Sequence, residues 1–122
     1  MPTVMVVDDA LFMRVAIGNM FKVWGFEVIA EAANGRDAVK NYFQFQPDIV
    51  TMDLTMPIMS GIDALREIMQ SDSNAKIIMI TALGQQRVIV EAIESGAKDF
   101  ITKPFTEQKL KEVVYNVLNI EE

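Results

Sequence analysis

Five short runs rich in β-branched and other apolar residues alternate along this chain with stretches whose apolar residues recur every three to four positions. The runs are Thr3–Val7, Glu27–Glu31, Asp48–Met52, Lys76–Thr81 and Asp99–Lys103. Three are nearly continuous in Val, Ile and Met, the composition of strands buried on both faces of a parallel sheet. Between the runs the period becomes helical. Met13, Ala16, Ile17, Met20, Phe21 and Trp24 form one stripe, and Leu110, Val113, Val114, Val117 and Leu118 another. Ala38, Val39, Tyr42 and Phe43 make a shorter stripe, as do Ile62, Leu65, Ile68 and Met69. Gly25 and Gly96 stand where helix C-termini favour a left-handed residue, Thr106 suits the cap of the last helix, and Pro47 punctuates the entry to the third run. Strict alternation of strand and helix predicts an α/β fold, a parallel sheet covered on both faces by helices.

The chain has 122 residues, enough for one domain, and no internal repeat or linker divides it. No apolar stretch approaches the ~18 residues that span a bilayer, so membrane insertion is not expected. The N-terminus lacks a basic region followed by a long apolar segment, and a cytoplasmic location is the expectation. Cysteine and histidine are both absent. That excludes disulfides, thiolate and imidazole metal sites, Ser-His-Asp catalysis and a phosphohistidine carried in this chain. Any metal here needs an all-oxygen site, which favours magnesium, calcium or manganese. The net charge of −6 and the lack of a basic stripe argue against nucleic-acid binding.

Two of the apolar runs finish on acids: Val4-Met5-Val6-Val7 leads into Asp8 and Asp9, and Asp48-Ile49-Val50-Thr51-Met52 into Asp53. In an open α/β sheet, ligands bind beyond the carboxyl ends of the strands. Asp8, Asp9, Asp53, Thr81 and Lys103 all fall at those ends. Clustered carboxylates raise one another's pKa unless a cation neutralises them, so three together ask for a hard divalent metal. A backbone carbonyl just after Asp53 offers a further oxygen, Thr81 a hydroxyl donor and Lys103 a mobile positive charge. Such a set can stabilise the equatorial oxygens of a phosphoryl group, and an Asp can itself be the nucleophile.

Each residue alone has a plainer reading. An Asp at a strand end commonly caps a turn, Thr is a good strand former, and a single lysine is usually solvated. The nine methionines suit core packing. Only their common placement at one end of a sheet favours chemistry.

Taken together, Val4–Asp9, Asp53-Leu54-Thr55-Met56-Pro57 with Ser60-Gly61, Ile80-Thr81-Ala82, Gly96-Ala97 and Lys103-Pro104-Phe105 resemble the receiver domain of two-component response regulators. The resemblance covers essentially the whole chain, in order. It implies a doubly wound, flavodoxin-like sheet of five parallel strands in the order 2-1-3-4-5 with five helices. It assigns Asp53 as phospho-acceptor, with magnesium held by Asp8, Asp9, Asp53 and the main-chain carbonyl of Thr55. Thr81 would bond the phosphoryl group, Lys103 would pair with it, and Ala82 would leave room for the donor. The bond between Lys103 and Pro104 would be cis. With no histidine here, the donor would be a separate histidine kinase. The chain would be a single receiver domain over residues 1–122 with no output domain, catalysing only its own phosphorylation and dephosphorylation.

Within that family the likeness is to the chemotaxis regulators of the CheY type. It rests on Asp8-Asp9-Ala10 followed by Phe12-Met13-Arg14, on Thr51–Pro57, on Gly84-Gln85-Gln86 and on Gly96–Phe100. This implies a phosphorylated form that binds the flagellar motor switch, a phosphatase as a further partner, and a monomer as the default state. The switch aromatic, often Tyr in the family, is Phe100, which has no hydroxyl to bond. Thr81 and Phe100 would move together, changing the surface around the fourth helix and fifth strand. Val88, Ile89 and Val90 are consecutive, so they cannot all face the core with Ile93; Ile89 is the expected surface residue. Thr55 and Leu83 would flank the path of attacking water and tune the lifetime of the acyl phosphate. Two other functions use the same residues: a phosphorelay intermediate that passes the phosphoryl group onward, and an aspartate-based magnesium phosphohydrolase. For the latter, no general acid or substrate pocket can be nominated.

Overall fold

A computed structural model describes residues 1–82 and 86–121; Leu83, Gly84 and Gln85 of the sequence reading lie outside the described residues. Strands and helices alternate as β1 (Thr3–Val7), α1 (Leu11–Val23), β2 (Glu27–Ala32), α2 (Gly35–Phe45), β3 (Ile49–Asp53), α3 (Gly61–Ser71), β4 (Ile77–Ala82), α4 (Gln86–Glu94), β5 (Asp99–Lys103) and α5 (Glu107–Leu118). All strand pairings are parallel, in the order β2-β1-β3-β4-β5. The three apolar runs become the central strands β1, β3 and β4, which are buried almost throughout, whereas the edge strands β2 and β5 are partly exposed.

Two strands sit one residue later than the sequence predicts. Asp48 is used before β3 begins: its carboxylate accepts from the Thr3 amide at 2.8 Å, which fixes the start of that strand to the start of β1. At the other end Asp53 still pairs with Ile80, and Ala82 of β4 with Lys103, so both strands carry their polar ends within the sheet. Ala32 likewise prolongs β2 opposite Val7.

The sheet separates two apolar layers. Ile17, Phe21, Phe26, Leu110, Val113 and Val114 cover one face with α1 and α5. Ala38, Tyr42, Ala64, Leu65 and Ile68 cover the other through α2 and α3. Asn34, Ser60 and Thr106 cap α2, α3 and α5 by accepting from the amides of Asp37, Asp63 and Lys109. Gly25 and Gly96 take the positive φ values, 89° and 113°, expected of them.

Helix α4 is attached differently. Its one buried residue is Ala92, and Val88, one turn earlier, packs partly against the core. The expectation that Ile93 faces the core is therefore corrected, and Val90, not Ile89, is the most exposed of the three consecutive residues, although Ile89 still lines a surface groove. Val90 is 55% and Ile93 43% exposed, while Ile89 is half-buried. A pair spaced four residues apart shares a helix face, and once Val88 and Ala92 face the sheet, Ile89 and Ile93 lie beside them and Val90 beyond. The small Ala92 side chain marks the line of closest approach.

Candidate functional site

Three strands deliver their polar ends to one place. β1 finishes at Val7, and the next residue, Asp8, is locked by its neighbours. Its amide donates to the Ala32 carbonyl at 3.1 Å, one carboxylate oxygen accepts from the Ala10 amide at 2.9 Å, and the other accepts from Lys103 Nζ at 3.1 Å. Asp8 is 2% exposed, a burial that an unpaired carboxylate does not tolerate. Asp9 follows on the solvent side. Asp53 ends β3, two strands from Lys103 at the end of β5, and its carboxylate lies 3.7 Å from Lys103 Nζ. Carboxylate oxygens of Asp8, Asp9 and Asp53 all lie within 4.8 Å of one another.

This geometry sets the charge state of Asp53. Burial pushes its carboxyl above the usual range; Lys103 opposes that, Asp8 and Asp9 add to it, and the Thr55 backbone amide, bonded to the carboxylate, opposes it again. Three close acids with one ammonium between two of them remain a net negative site. The donors are all hard oxygens, which fits magnesium or another hard divalent cation and suits no soft metal. The residues present therefore fit the expected ion.

Thr81 and Ala82 occupy the last two positions of β4, paired with Thr102 and Lys103. Thr81 is fully buried, and its hydroxyl donates to the Ala82 carbonyl at 3.2 Å; Ala82 is exposed at the mouth. The peptide bond between Lys103 and Pro104 is cis. Phe100, 37% exposed, lies away from the acids, on a groove of about 640 Å³ lined by Gln86, Ile89, Val90, Ile93, Glu94 and Thr102. A larger cavity, about 690 Å³, includes Tyr42, Asp48 and Asp72 in its lining and contains none of the site residues.

The segment between β3 and α3 is pinned by two glycines whose role the sequence reading did not assign. The Gly61 amide donates to the Leu54 carbonyl at 2.8 Å, and any Cβ on Gly61 would collide with the backbone oxygen of Asp53. The Gly35 amide donates to the Met59 carbonyl at 2.9 Å, and a Cβ there would collide with that same carbonyl. Between the two pins, Ile58 takes φ 69°, a left-handed conformation rare for a β-branched residue. Arg14 also escaped the sequence reading as a contributor, because its contact with Asp8 is to a backbone atom that no side-chain pattern reveals.

Comparison with known proteins agrees with this geometry. The response regulator receiver domain family matches residues 4–115. The chemotaxis protein CheY of Thermotoga maritima is 54% identical over 114 residues, covering 93% of this chain and 95% of that protein. CheY of Bacillus subtilis is 52% identical over 116 residues, covering 95% and 97% respectively. Among solved structures, the CheX-CheY-BeF3-Mg complex from Borrelia burgdorferi superposes with a TM-score of 0.88 at 41% identity, covering 95% of this chain and 88% of that one.

Proposed function

The chain belongs to the response regulator receiver family, among relatives of the CheY type, and from that premise we propose that it is a chemotaxis regulator switched by phosphorylation of Asp53. The observation that carries this reading is the convergence of Asp8, Asp9, Asp53 and Lys103 at one end of the sheet. A carboxylate oxygen of Asp53 attacks the phosphorus of a phosphohistidine on a separate kinase. The P–N bond breaks as the new P–O bond forms, and the departing imidazole takes up a proton. Lys103, a point charge on a flexible stem, follows the phosphoryl oxygens. The small side chain of Ala82 leaves the approach open. Asp8, Asp9, Asp53 and the main-chain carbonyl of Thr55 would hold magnesium, which would supply positive charge for the carboxylates and phosphoryl oxygens; the Borrelia burgdorferi relative was solved with magnesium.

The signal leaves through Thr81 and Phe100. In the arrangement described here the Thr81 hydroxyl is turned to the Ala82 carbonyl, and Phe100 borders the groove against α4. When a phosphoryl group offers Thr81 a stronger acceptor, the hydroxyl turns to it, Phe100 moves into the vacated space, and the groove changes shape. Phenylalanine makes this movement on packing alone, without a hydroxyl to anchor either position. The changed surface, including Ile89 and Phe100, binds the flagellar motor switch, and a phosphatase resets the acyl phosphate. The protein acts as a monomeric receiver in the cytoplasm.

The test is intact mass after incubation with a small phosphodonor, with and without magnesium, beside Asp53→Asn. One added phosphoryl group that requires both magnesium and Asp53 is the expected result. Affinity for a motor-switch peptide should then rise on phosphorylation and fall in Ile93→Glu. Phosphorylation without any gain in peptide affinity would leave the site chemistry standing and remove the motor role.

A further inference from the structure

Arg14 lies in the first turn of α1, yet its side chain turns back over the helix start instead of extending into solvent. Nη1 donates to the backbone carbonyl of Asp8 at 2.8 Å, and Nε donates to Glu31 Oε1 of β2 at 3.2 Å. The arginine side chain is 16% exposed. The carbonyl it holds belongs to the peptide that joins Asp8 to Asp9. Orientation of that peptide plane decides where the Asp9 carboxylate begins relative to Asp8. The Asp8 amide is already fixed by Ala32 of β2 at 3.1 Å, the same strand that supplies Glu31. Arginine thus closes a clamp: one strand holds the amide of Asp8 directly and its carbonyl through the guanidinium.

We propose that Arg14 is a positioning residue for the acidic site, setting the Asp8–Asp9 peptide so that both carboxylates meet one cation. The inference rests on the reading of Asp8, Asp9 and Asp53 as a magnesium site. It makes a prediction opposite in sign to simple electrostatics. A guanidinium beside a cation site repels the cation, so on charge alone its removal should tighten magnesium binding, by about twofold at a solvent-screened distance. If its work is to orient the ligands, removal should weaken binding, on the scale of roughly tenfold that loss of a ligand-orienting contact produces. Lysine keeps the charge but replaces the planar fork with one point donor, so it cannot hold the Asp8 carbonyl and Glu31 in the same way.

Magnesium affinity is measured by calorimetry on the full chain as wild type, Arg14→Lys and Arg14→Met, each checked for folding by circular dichroism in chelator. The expected result is weaker binding in both variants, roughly tenfold for Arg14→Met and several-fold for Arg14→Lys. At saturating magnesium, phosphorylation by a small donor should return to within about twofold of wild type, since the contact acts on the ligands and not on the reacting oxygen. Unchanged affinity in Arg14→Lys, with unchanged or tighter binding in Arg14→Met, would overturn the proposal while leaving the magnesium site intact. If Arg14→Met does not fold, Arg14→Lys decides alone. Wild-type protein that binds no magnesium would overturn both this inference and the reading on which it rests.

Discussion

Lys103 Nζ stands 3.1 Å from Asp8 Oδ2 and 3.7 Å from Asp53 Oδ2, so one ammonium from the edge strand serves two carboxylates at the ends of the adjacent strands β1 and β3. The closer partner is the more deeply buried one. The lysine is therefore a structural counterion for Asp8.

Removing that ammonium should destabilise the protein. Lys103→Ala leaves the buried Asp8 carboxylate with its Ala10 amide contact but no counterion. A loss of about 2 kcal/mol is expected, below the full penalty for breaking a buried pair because the lysine itself is partly solvated. Magnesium can replace the missing charge, so the rise in Tm on adding magnesium should be larger in Lys103→Ala than in wild type. Equal rises in a thermal melt would show that Lys103 is not the counterion of this site.

Asp53 makes the opposite contribution. Its carboxyl is held above the usual range, chiefly by burial. A raised folded pKa contributes stability that is complete below the unfolded value, about pH 4, and is lost as pH rises through the folded value. At neutral pH, without metal, Asp53→Asn should therefore be more stable than wild type, and the difference should shrink as the pH falls through the folded value and level off below about 4. Urea titrations across this range measure it; an asparagine variant that is less stable at neutral pH would contradict the account.

Tyr42 provides a second pH-dependent element on the far side of the fold. Its hydroxyl donates to Asp72 Oδ2 at 2.7 Å, and burial, together with that carboxylate, holds the phenol well above its ordinary range. Stability from this group is complete below the unfolded phenol pKa of about 10 and is lost as the pH climbs beyond it. Tyr42→Phe should lower stability by about 1–2 kcal/mol at neutral pH and flatten the alkaline decline. Parallel alkaline curves for the two proteins would count against the assignment.

Ile58 offers the reverse case, a substitution that should help. The residue is 72% exposed, so little burial is at stake, and its φ of 69° strains a β-branched side chain. Ile58→Gly should raise stability by about 1 kcal/mol, the strain relieved less the added freedom of the unfolded chain. A lower Tm in the glycine variant would mean that the isoleucine side chain makes contacts that outweigh its backbone strain.

How much of this could be read from the chain alone depended on distance along it. The strands, the helix stripes and the left-handed glycines at 25 and 96 follow from local periodicity and backbone preference, and those appear as expected. The placement of Asp8, Asp53, Thr81 and Lys103 at one end follows from strand direction, because every parallel strand ends on the same side. The phase of α4 was harder. Its apolar residues are consecutive, and hydrophobicity ranks Ile93 above Ala92, whereas packing selects the smaller side chain for the closest approach. Ile58 contradicts local preference outright: the Met59 amide donates to the Pro57 carbonyl across it at 2.7 Å, and the contacts at Gly35 and Gly61 hold the segment on either side. Arg14 reaches a backbone carbonyl, an acceptor that every residue possesses and that no motif can flag.

The shallow seat of α4, with Ala92 fully buried and Val88 and Ile89 only partly so, has a thermodynamic consequence. A helix seated on leucines or phenylalanines resists displacement with the transfer free energy of each, about 1.5–3 kcal/mol apiece. One seated on Ala92 and a partly buried Val88 has less of that to lose on displacement. Small differential contacts at Thr81 can then redistribute the population, since a ligand moves an equilibrium only by the difference in its affinity for the two states. Amide exchange should accordingly be fastest here among the helices, with the strands beneath holding their protons longest. Responsiveness in this protein is a matter of weak attachment in one place on an otherwise well-anchored body.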